Sequence, residues 1–235
     1  MTKLLEGQIA LVTGASRGIG AATAEALAGA GAHVILTART ADALEAVEDR
    51  IHSADGTATI APLDLTDAES IGRLASAVNE RWKKLDMLVL NAAMLGTLAP
   101  VQHLDAAEFA RVFTLNVSAQ VAMIAAFDAL LRQSDNARLI GVTSSVGARP
   151  RAFWGGYGAS KAAFDTLLGA YAEENRATGR IKVAILDPGA TRTRMRALAY
   201  PGENPNALKE PKVVAERIAA LMTDGFETGH RDRVN

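Results

Sequence analysis

A tyrosine and a lysine four residues apart are well suited to moving a proton. Tyr157 and Lys161 lie in the segment Tyr-Gly-Ala-Ser-Lys, so a helix would put both side chains on one face. Lowering the pKa of a tyrosine from about 10 to about 7 needs roughly 4 kcal/mol. One ammonium about 4 Å away, at an effective dielectric of about 20, supplies that energy. The pair therefore predicts a phenol that exchanges a proton near neutral pH; the alternative is a half-buried tyrosine beside a solvated lysine.

A glycine-rich turn predicts a site for nucleotide phosphates. It follows the first apolar run and opens a helical pattern, and it reads Thr13-Gly14-Ala15-Ser16-Arg17-Gly18-Ile19-Gly20. Glycines permit close backbone approach, and the free N–H groups of a helix N-terminus bind phosphate. Gly14 would make the tight turn, Gly18 would approach the pyrophosphate, and Gly20 would let the helix pack on the strand. The alternative is an ordinary strand–helix turn.

Short apolar runs alternate with helical patterns along the whole chain. The runs cover residues 9–13, 33–37, 57–63, 87–91, 138–143 and 182–187. The helical patterns cover residues 19–30, 41–54, 68–84, 105–133, 156–178 and 207–223. Most runs lack a two-residue alternation, as is typical of strands buried on both faces. The pattern predicts an α/β fold with a doubly wound, Rossmann-like parallel sheet.

Composition excludes several classes of function. The chain has 235 residues with 25 basic and 26 acidic side chains, so the basic excess of a typical nucleic-acid binder is missing. It has no cysteine, which removes disulfides and thiol nucleophiles, and its four histidines lack close metal-ligand spacing. No apolar stretch is expected to reach the roughly 20 residues of a membrane span. We therefore expect a cytoplasmic protein that uses no metal, membrane or nucleic acid.

Taken together, the motifs resemble the single-domain branch of the short-chain dehydrogenase/reductase family. The family pattern Thr-Gly-x-x-x-Gly-x-Gly is present at 13–20, Tyr-x-x-x-Lys at 157–161 and Pro-Gly-x-x-x-Thr at 188–193. The resemblance extends along nearly the whole chain. It implies one domain over 1–235, strand order 3-2-1-4-5-6-7, and a substrate loop at about 191–206. It also implies a dinucleotide-dependent oxidoreductase that interconverts a carbonyl and an alcohol.

The resemblance assigns roles to four catalytic residues. The family places its serine thirteen residues before the tyrosine, which selects Ser144, with Ser145 as the alternative. Ser144 would hold the substrate oxygen and Tyr157 would transfer the proton. Lys161 would lower the tyrosine pKa and grip the nicotinamide ribose, so Tyr157 and Lys161 also count as cofactor contacts. Asn116 would distort its helix and anchor a water linked to Lys161; the alternative is a buried asparagine satisfied by backbone.

Further cofactor contacts are implied at the ends of other strands. They are Asp64 and Leu65 near the adenine, Asn91, Ala92 and Ala93 near the adenosine ribose, and Pro188, Gly189, Thr191 and Thr193 near the carboxamide or pyrophosphate. The alternative for Asp64 is a turn aspartate. Two residues depart from the family's Asn-Asn-Ala-Gly: Leu90 replaces the first Asn, and Ala93 replaces the Gly. The added methyl group of Ala93 is expected to shift the backbone slightly.

The end of the second strand distinguishes NADP(H) from NAD(H). An acidic residue there would bind the ribose 2′-hydroxyl and repel a 2′-phosphate. The segment reads Leu-Thr-Ala-Arg-Thr, and Arg39 offers a planar, always-charged fork suited to phosphate. Arg17 in the glycine turn adds a second cation. The sequence predicts NADP(H), with NAD(H) as the alternative cofactor; the competing interpretation is that both arginines are surface residues.

Alternatives stay open for the class of substrate and for the assembly. Arginines and aromatics in 145–156 and 191–206 indicate an anionic or a bulky apolar small molecule, or else surface contacts. The family's acidic-Gly-Gly tail is missing after the last strand, so we expect a homodimer through 105–133 and 156–178, with a homotetramer as the alternative. Competing functions are a catalytically silent dinucleotide sensor and a lyase or epimerase on the same fold. Retention of serine, tyrosine and lysine favours the oxidoreductase.

Overall fold

A seven-stranded parallel sheet forms the centre of the computed structural model, which describes residues 3–235. Its strands are β1 (Ile9–Thr13), β2 (His33–Ala38), β3 (Thr57–Pro62), β4 (Met87–Leu90), β5 (Ala137–Val142), β6 (Ile181–Asp187) and β7 (His230–Arg233). They lie in the order β3-β2-β1-β4-β5-β6-β7, and every pairing is parallel. The predicted fold class and strand order are therefore confirmed.

Helices cover both faces of the sheet. They are α1 (Gly18–Gly29), α2 (Ala41–Ser53), α3 (Ala68–Trp82), α4 (Ala106–Phe113), α5 (Ala119–Leu131), α6 (Ser145–Ala148), α7 (Gly155–Arg176), α8 (Arg194–Ala199) and α9 (Pro211–Asp224). One core contains buried side chains of α1, α2 and α9, and the other contains those of α3, α5 and α7. The sheet is thus a middle layer between two hydrophobic cores.

Strand β1 explains why the apolar runs show no alternation. Ala10 and Val12 belong to one core, whereas Ile9 and Leu11 belong to the other. Successive strand side chains point to opposite faces, so a strand in a middle layer needs apolar residues at every position. The carboxyl ends of these strands then meet at one edge of the sheet, where polar side chains replace the apolar ones.

One predicted helix is interrupted, and one predicted helix boundary is wrong. The single helix expected over 105–133 is divided into α4 and α5 by a π-helical turn at Thr114–Ser118. The last helix begins at Pro211 rather than at 207, because Pro205–Ala207 forms a separate 3₁₀ turn. Proline suits the first helical position, where its missing N–H group costs no hydrogen bond. Composition favours helix in both regions and does not by itself predict the π-helical turn or the separate 3₁₀ turn.

The stretch Ala106–Leu131 is long and apolar enough to cross a membrane by length and composition alone. This corrects the expectation that no stretch reaches that length. Met123 and Phe127 of this stretch are fully buried in the core that contains α3 and α7. A core helix of a soluble protein meets the same criterion, so the stretch is weak evidence for a membrane span.

Candidate active site

The ends of β1 and β4 are joined by a compact hydrogen-bond network. The Thr13 hydroxyl accepts from the N–H groups of Asn91 at 2.9 Å and Ala92 at 3.0 Å. The Asn91 amide donates to the Thr13 carbonyl at 2.9 Å and to the Gly14 carbonyl at 3.4 Å. The network fixes the glycine turn against the segment after β4. These two predicted cofactor-binding segments therefore share one edge of the sheet.

The glycine turn has the geometry that a phosphate needs. Gly14 and Gly18 have φ of +65° and +56°, which favour glycine, and a Cβ on Gly20 would lie 2.2 Å from the Gly14 carbonyl oxygen. The first hydrogen bond of α1 runs from Ala21 N to Arg17 O. The N–H groups before Ala21 therefore have no acceptor within the helix. Exposed donors at a helix N-terminus suit an anion. The turn thus fits a nucleotide pyrophosphate.

The loop after β6 reaches the same turn. A Cβ on Gly18 would lie 3.5 Å from the Thr193 methyl group, so Thr193 sits beside the glycine turn. Upstream, the Thr191 hydroxyl donates to the Pro188 carbonyl at 2.9 Å, and Gly189 takes a φ of +61°. The Pro-Gly-x-x-x-Thr segment is therefore a rigid turn that meets the predicted pyrophosphate site.

Asp64 and Arg39 are neighbours at the ends of β3 and β2. One Asp64 oxygen accepts from the Thr66 N–H at 2.9 Å and from its hydroxyl at 2.8 Å. The Thr66 hydrogen bonds lower the pKa of Asp64, and the Arg39 charge adds to that shift. The turn-aspartate interpretation therefore holds for one oxygen of Asp64. Arg39 and Arg17 are both exposed.

The two departures from the family pattern fit their surroundings. Leu90 is 1% exposed and packs in the core that contains α3, α5 and α7, where an apolar residue is stabilising. Ala93 lies outside the positive-φ region, which among residues 3–235 holds only three non-glycine residues. The backbone at Ala93 therefore does not require glycine.

Asn116 joins the segment after β4 to α7. It is 1% exposed within the π-helical turn. Its side-chain oxygen accepts from Met94 N at 2.8 Å, and its amide donates to Met94 O at 2.9 Å and to the Ser160 hydroxyl at 3.0 Å. The side chain is thus satisfied largely by backbone, which was the alternative interpretation. Its bond to Ser160 places it one residue from Lys161.

Gln120 is a second buried amide beside the segment after β4, and the sequence analysis did not single it out. It is 1% exposed, and its amide donates to Leu115 O at 2.8 Å and to Ala92 O at 3.2 Å. A π-helical turn shifts backbone bonds to the fifth residue, and Gln120 bonds a carbonyl within that turn. The sequence does contain a signal for Gln120, which is a second amide side chain four residues after Asn116 in an apolar helical segment.

Ser144 is held close to the turn of α7 that carries Lys161. It directly precedes α6, and a Cβ on Gly147 of α6 would lie 3.0 Å from the Lys161 carbonyl carbon. Glycine therefore suits this close approach, because a larger residue would press on the backbone of α7. Ser144 and Ser145 are both half-buried at this turn, so the choice between them rests on the spacing to Tyr157.

Tyr157 and Lys161 are buried at the centre of the site, with exposed fractions of 7% and 3%. Lys161 Nζ donates to Val142 O at 2.8 Å and lies 5.8 Å from the centroid of the Tyr157 ring. Burial raises the pKa of Tyr157, and the Asp187 charge raises it further. The prediction that Lys161 brings this pKa toward 7 does not hold for these residues by themselves, because burial disfavours the charged phenolate.

Asp165 is a second buried charge that the sequence analysis missed. It follows Lys161 by four residues on α7 and is 9% exposed. It accepts from the Thr143 hydroxyl and lies 3.5 Å from the Arg231 guanidinium. The carboxylate thus joins α7 to the ends of β5 and β7. The four-residue spacing from Tyr157 through Lys161 to Asp165 was the signal that could have found it.

The titration of Lys161 predicts a pH-dependent stability. Burial lowers the pKa of Lys161 to about 8, and the Asp165 carboxylate opposes the fall. Between that pKa and the unfolded value of about 10.4, the folded chain binds fewer protons than the unfolded chain, so stability rises with pH. Lys161→Met removes this contribution. The difference in unfolding free energy, native chain minus variant, should therefore increase by on the order of 3 kcal/mol between about pH 7 and about pH 10.

Urea unfolding of both proteins at several pH values measures this difference. Because every other group titrates in both proteins, the comparison isolates Lys161. A difference that stays constant with pH would contradict the burial of a charged Lys161.

Comparison with known proteins identifies relatives of the whole chain. The sequence profile described as short chain dehydrogenase matches residues 8–204. The uncharacterized oxidoreductase YciK of Escherichia coli K12 is 36% identical over 224 residues, which cover 94% of this chain and 88% of YciK. The chain therefore belongs to the short-chain dehydrogenase family, and it is an oxidoreductase of that family.

Solved structures of short chain dehydrogenases have the same fold as this chain. A short chain dehydrogenase from Salmonella enterica serovar Typhi superposes with a TM-score of 0.94 at 34% identity, covering 99% of this chain and 98% of its own. A protein from Escherichia coli CFT073 crystallised with NADPH gives a TM-score of 0.92 at 35% identity, covering 99% and 98% of the two chains.

Proposed function

We propose that this protein catalyses the NADP(H)-dependent interconversion of a carbonyl and an alcohol. The observation that carries the proposal is the position of the buried Tyr157 and Lys161 pair. Both lie on α7 beside the end of β5, at the sheet edge that also holds the glycine turn. Ligands bind at that edge in parallel α/β sheets.

The side chains divide the reaction between them. A bound nicotinamide would supply the hydride in reduction or take it in oxidation. Ser144 would hold the substrate oxygen by a hydrogen bond, and Tyr157 would donate a proton to it. Because burial and Asp187 raise the pKa of Tyr157, proton transfer near neutral pH needs positive charge beyond Lys161. The oxidised nicotinamide ring carries such a charge.

Lys161 and Asn116 would organise the proton path. The ammonium of Lys161 would hold the nicotinamide ribose and keep a positive charge behind Tyr157. Asn116 supports this arrangement through its hydrogen bond to Ser160, next to Lys161 on α7. The water proposed between Asn116 and Lys161 would complete a path from the phenol to solvent.

The preference for NADP(H) is inferred from two arginines. Arg39 follows β2 and Arg17 directly precedes α1, so both lie at the sheet edge where the adenosine ribose is expected. The similar structure from Escherichia coli CFT073 was solved with NADPH, which supports the same cofactor here. Arg39 is exposed, so a 2′-phosphate would have access to its guanidinium.

Replacing Arg39 with Ala should change cofactor preference. A charge-assisted hydrogen bond to phosphate contributes about 1.5–3 kcal/mol, so KM for NADPH should rise about 10- to 100-fold. KM for NADH should change by less than about threefold, because NADH lacks the 2′-phosphate. Arg73→Ala on the exposed face of α3 is the matched control. Equal effects on the two cofactors would contradict the assignment of Arg39.

A carbonyl library tests the proposed reaction directly. Oxidation of NADPH should depend on the carbonyl added and produce the corresponding alcohol in equal amount. Binding of NADPH without turnover of any carbonyl would favour the dinucleotide sensor. Product formation without net cofactor oxidation would favour the lyase or epimerase.

The assembly that we propose is a homodimer of single-domain subunits. Two apolar side chains on the helices suggested for the interface, Phe109 and Val121, are 37% and 44% exposed. Burying such side chains against a second copy would remove apolar surface from water.

A further inference from the structure

Two aromatic side chains extend from Tyr157 in a row. Trp154 directly precedes α7, and its ring meets the Tyr157 ring edge to face, with centroids 6.0 Å apart and planes at 67°. Tyr200 follows α8, and its ring centroid lies 5.6 Å from that of Trp154. The two rings come from different connections, one after β5 and one after β6. Both are half-buried, so each keeps part of its surface accessible.

Charged side chains hold Tyr200 in place. The Arg151 guanidinium donates to the Tyr200 hydroxyl. The Arg196 guanidinium carbon lies 3.8 Å from the centroid of the Tyr200 ring, within the range of a cation–π interaction. Arg196 is itself bound by both oxygens of Glu203, at 2.6 Å each. Tyr200 is thus fixed at its hydroxyl and on its ring before any substrate binds.

The same contacts engage most of the arginines that could bind an anionic substrate. Arg151 bonds Tyr200, Arg196 pairs with Glu203, and Arg192 donates to Glu210 at 3.1 Å. A substrate carboxylate would have to displace a glutamate from Arg192 or Arg196, or the neutral hydroxyl of Tyr200 from Arg151. Arg149 and Arg194 complete the set and are exposed, as are Arg151 and Arg192.

We propose that Trp154 and Tyr200 form an aromatic wall that determines specificity, selecting a flat apolar carbonyl compound such as an aryl ketone or aldehyde. This inference rests on the proposed function, because Tyr157 marks the reacting oxygen. Aromatic rings pack best in edge-to-face or offset arrangements, and the wall offers such surfaces beside Tyr157. A small ketone would cover less of the wall than an aryl ketone, and Arg192 and Arg196, which pair with Glu210 and Glu203, are not available to an anionic substrate without loss of those ion pairs.

Three ketones distinguish these classes: acetophenone, 2-butanone and 4-acetylbenzoate. We expect the native protein to reduce acetophenone with the highest kcat/KM. Trp154→Ala should lower kcat/KM for acetophenone about tenfold or more, equivalent to about 1.4 kcal/mol, and that for 2-butanone less than about threefold. Trp154→Phe should recover most of the loss because it keeps a ring. Trp82→Phe is the matched control, since Trp82 stacks on His33 at the amino end of the sheet.

Tyr200→Phe keeps the aromatic ring but removes the hydroxyl that accepts a hydrogen bond from Arg151, so it tests the two contributions separately. It should raise KM for acetophenone about threefold to tenfold while leaving kcat nearly unchanged, because the wall loosens but the reacting groups stay in place. Equal losses for acetophenone and 2-butanone in Trp154→Ala would overturn the proposal. A native preference for 4-acetylbenzoate would overturn it as well.

Calorimetric titration of acetophenone into the NADP⁺ complex separates failure of this inference from failure of the proposed function. Binding that weakens in Trp154→Ala, in a protein that oxidises no NADPH with any carbonyl, would support the wall and contradict the reaction. If the protein turns over carbonyls but Trp154→Ala binds acetophenone as tightly as the native protein, the proposed reaction would be supported and the aromatic wall overturned.

Discussion

Replacing Tyr157 with Phe lowers kcat for carbonyl reduction by about 10²- to 10⁴-fold, the usual contribution of a positioned general acid. The ring of Tyr157 stays in its buried site, so the fold and the glycine turn are preserved. Loss of one hydrogen bond to the cofactor weakens NADPH binding only about fivefold. Stopped-flow turnover and fluorescence titration of NADPH measure the two effects separately.

Tyr171→Phe is the matched control for this variant. Tyr171 lies on the same helix, but its hydroxyl donates to Asp128 at 2.7 Å, away from the site. Removing that hydroxyl should leave kcat unchanged and cost about 1 kcal/mol of stability. If Tyr157→Phe kept kcat close to that of Tyr171→Phe, the phenol would not be the proton donor.

Gly20→Ala abolishes dinucleotide binding under ordinary assay conditions. Its Cβ would lie 2.2 Å from the Gly14 carbonyl oxygen and 2.6 Å from the Asn91 amide nitrogen, so α1 must move away from β1. The backbone atoms of the glycine turn cannot yield as a flexible side chain would. We expect the dissociation constant of NADPH to rise about 100-fold or more, equivalent to about 2.8 kcal/mol, with a lower melting temperature.

Gly29→Ala provides the control at the other end of α1. Nothing lies within 4 Å of a Cβ on Gly29, so alanine should be neutral or stabilise the helix by up to about 1 kcal/mol. Gly18→Ala gives a second test if Gly20→Ala fails to fold, because its Cβ meets only the Thr193 side chain, at 3.5 Å and beyond, and its strain comes from the φ of +56°. NADPH binding by Gly18→Ala as tight as by Gly29→Ala would contradict a pyrophosphate site at this turn.

The sheet could be predicted because strands buried on both faces consist of apolar residues at nearly every position. Every residue of β1, β4 and β5 is buried, and their apolar runs stand out from the helices between them. The glycine turn was also predictable, since close approach of α1 to β1 leaves room only for glycine. Local sequence therefore specifies both the framework and the phosphate-binding geometry.

The π-helical turn shows where sequence reasoning is limited. Asn116 could be singled out as a polar residue in an apolar segment, but its partners lie 22 and 44 residues away in the chain. Gln120 escaped notice for the same reason, because Ala92 is 28 residues distant. Composition predicts an unbroken helix here; the family resemblance implied a distortion at Asn116, and the tertiary hydrogen bonds show what holds it.

The electrostatics of the site were the least predictable part. Spacing places Tyr157 and Lys161 on one helical face, but it does not report that both are desolvated or that Asp187 is near. These features reverse the expected direction of the tyrosine pKa. Likewise, the Arg151 contact with Tyr200 spans 49 residues, so the two connections could not be paired from sequence.

Transfer of deuterium from labelled NADPH tests the proposed chemistry most directly. NADPH carrying deuterium at either of the two C4 positions would be incubated with the best ketone of the library, and the alcohol would be analysed by mass spectrometry. The proposed reaction predicts deuterium on the carbinol carbon from one of the two labelled cofactors and none from the other. An alcohol without deuterium from either cofactor would contradict direct hydride transfer at this site.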